Sequence, residues 1–86
     1  MHEMSLMRDL LTKISSLSAQ HENRRVTTVR VWLGALSHIS KDHFIEHFVE
    51  AAPGTVAEGA VIEVTTSQDL NDPRAQDILL ESVDLE

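Results

Sequence analysis

The 86-residue sequence predicts an α+β fold: a two-layer sandwich with two helices on one face of a three-stranded mixed sheet, in the order α-β-α-β-β. Two observations carry that reading. Two segments repeat apolar residues every three or four positions, the spacing of a helix with one buried stripe, and three segments have the β-branched, alternating character of half-buried strands. The helical stripes need a common apolar surface, and the strand faces supply it.

Met7, Leu10, Leu11, Ile14 and Leu17 form the first stripe, with Arg8, Asp9, Thr12, Lys13 and Ser16 on the opposite side. The first helix therefore runs from about residue 3–5 to about residue 20, with His21-Glu22-Asn23 as its exit. Glu3 suits the positive end of the helix dipole. Residues 26–33 alternate: Val29, Val31 and Leu33 share one face, Thr28, Arg30 and Trp32 the other, and Gly34 ends the strand. In the second helix Ser40 is the N-cap, Ile39 can staple onto Phe44, and Pro53-Gly54 is the stop. Its stripe is Phe44, Ile45, Phe48, Val49 and Ala52, which leaves His43, His47 and Glu50 on the solvated side.

Residues 60–66 read as the second strand, Val61, Glu63 and Thr65 opposing Ile62 and Val64. Turn residues crowd 67–75, where Asp72-Pro73 disfavours helix. In the last strand, 78–85, Leu79, Glu81, Val83 and Leu85 oppose Ile78, Leu80, Ser82 and Asp84, so alternation does not single out an inward face. The last two strands are expected to pair antiparallel through the 67–75 turn.

Composition bounds the function. One domain spans 1–86, with 42% hydrophobic and 24% charged residues, as in a globular protein rather than a disordered one. The net charge is −7, and residues 55–86 hold eight acids against the single base Arg74. A phosphate-binding surface needs clustered Lys and Arg, so nucleic acid is not an expected partner. With no cysteine, neither a disulfide scaffold nor a Cys-based zinc site can form, and no zinc is expected. No apolar run approaches the roughly 20 residues of a membrane span, and the opening residues lack the regions of a signal peptide, so a cytoplasmic, membrane-free protein is expected.

The chemistry is concentrated at the start. Met1-His2-Glu3 brings together the α-amine of Met1, the amide nitrogen of His2 and its imidazole, which on losing protons make fused five- and six-membered chelate rings. The Glu3 amide nitrogen can close a fourth, roughly square position, a geometry that favours Ni(II) or Cu(II) over zinc. The bulk of His2 disfavours removal of Met1, so the encoded start is expected to be the mature one. A second pattern, His43-Phe44-Ile45-Glu46-His47, matches the H-x-x-E-H pattern of helical zinc proteases. Such an enzyme also needs a third ligand, a water position and a cleft, for which 86 residues leave little material. A polar helix face is the better account, and nothing in the sequence argues for an enzyme.

These residues together resemble the HypA/HybF hydrogenase nickel-incorporation proteins, which are nickel metallochaperones. The resemblance rests on Met1-His2-Glu3-Met4-Ser5-Leu6, on Arg25 through Gly34, on Phe44 to Glu50, on Gly54-Thr55-Val56-Ala57-Glu58-Gly59-Ala60 running into Val61-Ile62-Glu63-Val64, and on Asp77 through Glu86 as closing strand. The family carries a zinc-ribbon domain with paired CxxC motifs between its second and last strands; here a turn at about 67–75 stands in its place. The resemblance implies that Met1, His2 and Glu3 form a Ni(II) site with His2 as its essential side chain. It also implies two partners, a nickel-handling GTPase of the hydrogenase maturation pathway and a hydrogenase large-subunit precursor. His38, Ser40 and Asp42 lie in the segment entering the second helix, and the sequence leaves open whether any of them completes the site.

Three function classes follow. A nickel chaperone needs a free amine and His2; a metal-independent adaptor or docking module derived from that family would tolerate loss of His2; a small metallohydrolase would need His43, Glu46 and His47.

Overall fold

A computed structural model describes the backbone of residues 3–86 and the side chains from residue 5 onward. The elements are α1 (Glu3–Ala19), β1 (Val26–Leu33), α2 (Lys41–Ala51), β2 (Val61–Thr66) and β3 (Ile78–Leu85). The α+β order and the mixed three-stranded sheet are those the sequence predicts.

Helix α1 buries Met7, Leu10, Leu11 and Ile14. Leu17, expected in the same stripe, is only half-buried, and its neighbour Ser18 is buried instead. A buried hydroxyl needs a partner. Ser18 Oγ donates to the Arg24 carbonyl at 2.6 Å, while the Ser18 carbonyl accepts from the His21 and Asn23 amides at 2.9 Å each. With Glu22 and Asn23 at φ 67° and 57°, the chain turns back sharply into β1.

The sheet order is β2-β1-β3, β1 lying parallel to β2 and antiparallel to β3. The expected β2–β3 hairpin is thus not formed: those strands are opposite edges, and residues 67–77 cross the end of β1 to join them. Charge gives a physical reason. On the sheet face away from the helices Arg30 of β1 pairs with Glu63 of β2 at 3.0 Å and with Asp84 of β3 at 2.9 Å. Pairing β2 with β3 directly would set acidic Glu63 against Glu81 and Asp84, and like charges across strands are destabilising. Placing β1 between them separates the acids with a cation. Strand β1 also has the more buried inward row, Val26, Val29, Val31 and Leu33.

Two register shifts shape that row. Between Val26 and Thr28 the extra residue lies on β1; between Arg30 and Val31 it lies on β3, where Ser82 and Leu80 face consecutive β1 residues. A bulge inserts one residue and changes which side chains point inward. The bulge at Glu81 therefore gives β3 the inward row Ile78, Leu80, Val83 and Leu85, all packed on the core. Two of these come from each of the alternating sets that simple period-two reading opposed.

The helices cover the same face as these rows, with Phe44 and Phe48 of α2 buried against them. Ile39, ahead of the helix, packs on the same core as the staple requires. The α2 stripe differs from expectation in one respect: Val49 is 58% exposed, whereas Ala51 and His47 are half-buried. The helix is turned so that the 43-47-51 side looks toward α1. A helix between a sheet and a second helix buries a wider arc than its sheet-facing stripe.

Candidate metal site at the amino-terminal pole

Hydrogen bonds define two poles of the domain. At one, the end of α1 and the end of α2 meet the start of β1: Val26 N donates to the Val56 carbonyl at 3.2 Å, and Arg25 Nη2 donates to the Glu58 carbonyl at 2.8 Å. At the other, β1 ends. There the Ser67 amide donates to Leu33 O, the Gly34 amide to Asp77 O and the Leu36 amide to Ala75 O, at 2.7–2.9 Å. Since both helices finish at the first pole, both begin at the second and run alongside one another. The start of α1 at Glu3 is therefore at the pole where α2 begins.

The start of α2 is well built. Ser40 is in an extended conformation (φ −78°, ψ 158°), and its Oγ accepts from His43 N at 3.1 Å, satisfying one of the unpaired amides of the first turn. Asp42 is exposed in that turn, where its charge is favourable to the helix dipole. His38, exposed, takes up the left-handed region at φ 63° in the turn before it. Of the three residues left open as completing ligands, Ser40 is engaged as the cap, while His38 and Asp42 present their side chains to solvent.

Met1 and His2 lie outside the described residues, as does the Glu3 side chain; the Glu3 backbone is the first residue of α1. Among the described residues no three His, Asp or Glu side chains come together as a metal site. The H-x-x-E-H pattern does bring two rings together, with the His43 and His47 ring centres 4.6 Å apart and tilted by 39°. Glu46 between them is exposed, and no third ligand from the described residues joins them. His43 is exposed as expected, but His47 is half-buried with both ring nitrogens buried. Sequence periodicity missed this because it sees the sheet-facing stripe and not the second helix alongside. A cleft of about 430 Å³ runs between the helices, lined by Met7, Leu11 and Ser15 of α1 and by Ala51 and Thr55 after the His pair.

The family model described as "Hydrogenase/urease nickel incorporation, metallochaperone, hypA" matches residues 1–70, most of the chain. The chain belongs to the HypA family. Hydrogenase maturation factor HypA of Rhizobium leguminosarum bv. viciae is 38% identical over 64 residues, covering 74% of this chain and 57% of the relative. HybF of Escherichia coli is 34% identical over 64 residues, with the same coverage of each. The chain thus spans a little over half the length of the relatives it matches. The solution structure of the Ni metallochaperone HypA from Helicobacter pylori superposes with a TM-score of 0.83 over 99% of this chain and 97% of that one, at 15% identity. That likeness shows the HypA fold, and it takes in β3, which lies beyond the family match. HypA is a family of metallochaperones rather than catalysts. No helix among the described residues is long and apolar enough to cross a membrane.

Proposed function

We propose that this chain is a nickel chaperone serving NiFe-hydrogenase maturation, and that Met1, His2 and Glu3 carry the ion as its cargo. The observation that supports this reading is the Met-His-Glu opening, which lies inside the family match and runs directly into α1. With Met1 as the working amino terminus, its amine, the His2 imidazole and amide nitrogens, and the Glu3 amide nitrogen supply a near-square nitrogen set suited to Ni(II). Amine and imidazole must lose protons before they coordinate, so loading rises with pH. The Glu3 carboxylate is free to serve docking. The partners on this reading are a nickel-handling GTPase and a hydrogenase large-subunit precursor, and the working location is the cytoplasm.

The 86 residues contain no cysteine, so the Cys-based zinc ribbon of the resemblance has no ligands here. We assign residues 67–77 as the short replacement for that insertion and 1–86 as a single nickel-binding-type domain. Nickel delivery then takes place without a zinc-linked control step.

Ni(II) titration followed by the absorption of diamagnetic, square-planar nickel tests the site. The native chain should bind one such ion; His2→Ala, or an extension of two or more residues before Met1, should abolish that signal while the circular-dichroism spectrum stays unchanged. Glu3→Gln should leave it nearly intact. An amino-terminally extended protein that gives the same square-planar signal with the same affinity would remove the opening triplet as the site and leave the metal-independent adaptor reading.

A further inference from the structure

Among the described residues, His43 and His47 are two potential metal ligands in ring contact that the proposed function leaves unused. Four residues apart on α2, the two rings share one side of the helix. Imidazole nitrogens bind a first-row divalent ion at about 2.0–2.1 Å, so two imidazoles in adjacent positions on one ion have ring centres about 4–5 Å apart. The observed 4.6 Å lies within that span. The ring centres thus lie within the span of a shared ion, and the His47 ring, whose two nitrogens are buried, must turn to present one of them.

The fold places the pair beside the start of α1. Ala51, one turn after His47 on the same side of α2, lines the cleft with Met7 and Leu11 of α1. The helices run alongside in the same direction, and four residues of helix rise about 6 Å. His47 is therefore level with the first turn of α1, and His43 lies about one turn beyond it, past the point where α1 begins. The local charge suits a cation: Asp42, Glu46 and Glu50 outnumber Lys41 on α2, three acids to one base.

We propose that His43 and His47 form a second Ni(II)-docking pair, a bis-imidazole position beside the start of α1 through which the ion passes to or from the amino-terminal chelate. The passing role rests on the nickel-chaperone reading above; the binding itself does not. Exposed His43 meets the incoming ion, and half-buried His47 holds the side nearer α1. Coordination asks His47 to leave its present surroundings, and water must complete the ion's shell. The pair therefore binds more weakly than the chelate and releases its ion readily, as a transfer position should. A shell of two imidazoles and water leaves the ion paramagnetic, which distinguishes it from the square-planar chelate.

The test uses the full chain with two residues added before Met1, which disables the chelate, titrated with NiCl2 by calorimetry and followed by NMR of the imidazole protons. One paramagnetic Ni(II) should bind per chain, broadening His43 and His47 before His21 and His38. H43Q and H47Q should each weaken this binding at least tenfold, and H21Q and H38Q should not. H43Q changes an exposed residue, so it stands as evidence even where H47Q lowers the melting temperature. Even broadening of His21, His38, His43 and His47, or unchanged affinity in H43Q, overturns the proposal. If the extended protein instead gives the square-planar signal, the amino-terminal reading fails alone, and the pair is still judged by H43Q.

Discussion

Gly34→Ala tests the way residues 67–77 close the end of β1. A Cβ at Gly34 would collide with the Ala75 carbonyl oxygen and would sit 2.5 Å from the Ala75 carbonyl carbon and 2.7 Å from Arg74 O. Favourable carbon contacts begin at about 3.5 Å, so the strap or β1 must move by roughly 1 Å. All three atoms belong to backbone, which cannot swing aside as a side-chain end can. Overpacking of this kind costs about 1–3 kcal/mol. The shift also strains the bonds from the Gly34 amide to Asp77 O and from the Leu36 amide to Ala75 O, each worth about 1 kcal/mol. A total of about 2–4 kcal/mol follows, less the several tenths by which alanine restricts the unfolded chain. Urea denaturation should show it as a lower midpoint with little change in slope, and amide exchange should quicken first at residue 34 and Leu36. Gly54→Ala and Gly59→Ala are the controls: both positions have positive φ (82° and 79°) but nothing within 4 Å. They should lose only the roughly 1–2 kcal/mol of a left-handed alanine, without faster exchange in the strap. Wild-type stability in Gly34→Ala would refute the strap as described.

Other perturbations reach the rest of the molecule. Phe48→Ala removes a fully buried ring and should cost about 3–5 kcal/mol in a chemical-denaturation measurement, a large part of the stability of so small a domain. His43→Ala, at an exposed position, should change stability by less than about 0.5 kcal/mol, whereas His47→Ala should exceed that because its ring is half-buried with both nitrogens buried. The Asp84 carboxyl is held below the usual aspartate range by the Arg30 hydrogen bond and its charge, so the pair contributes above about pH 4 and is lost as pH falls below it. Asp84→Asn should flatten that acid limb of a stability–pH profile and leave neutral-pH behaviour nearly unchanged, the pair being exposed. Purification with a chelator should leave the circular-dichroism spectrum and melting temperature unchanged, since the 86 residues offer no cysteine to a structural zinc; a collapse would reveal a structural metal among the histidines.

Local chemistry made the elements legible, and long-range geometry made the pairing illegible. Ser40, Gly34, the Met7–Ile14 stripe and the Val29–Leu33 alternation each act within a few residues, and those elements fall where the sequence puts them. The neighbour of β3 depends on a choice between two partners far apart in sequence, and a short turn-rich segment invited the hairpin. Arg30 held the relevant clue: a lone cation flanked by acids in both later strands belongs between them. The Glu81 bulge was hidden for a related reason, since an inserted residue blurs the alternation by which strands are read. His47 was misplaced because one helix's periodicity cannot report a second helix lying beside it.

The crossing strap bears on the candidate site as well. The end of β2 and the start of β3 flank β1 at the pole where both helices begin. Neighbouring strands are about 4.8 Å apart, so those two ends are separated by roughly 10 Å across the end of β1. Any segment joining them, short or long, must leave from and return to this pole, beside Ser40 and Asp42. The zinc ribbon implied by the family resemblance would therefore stand next to the start of α1. In this chain the eleven residues 67–77 span the same gap, Ala75 packed down on Gly34 and Arg74 lying 5.5 Å over the Trp32 ring. With this strap in place the sheet is closed at the end of β1. A His pair on α2 lies at that same pole, on a chain with no thiolate to offer.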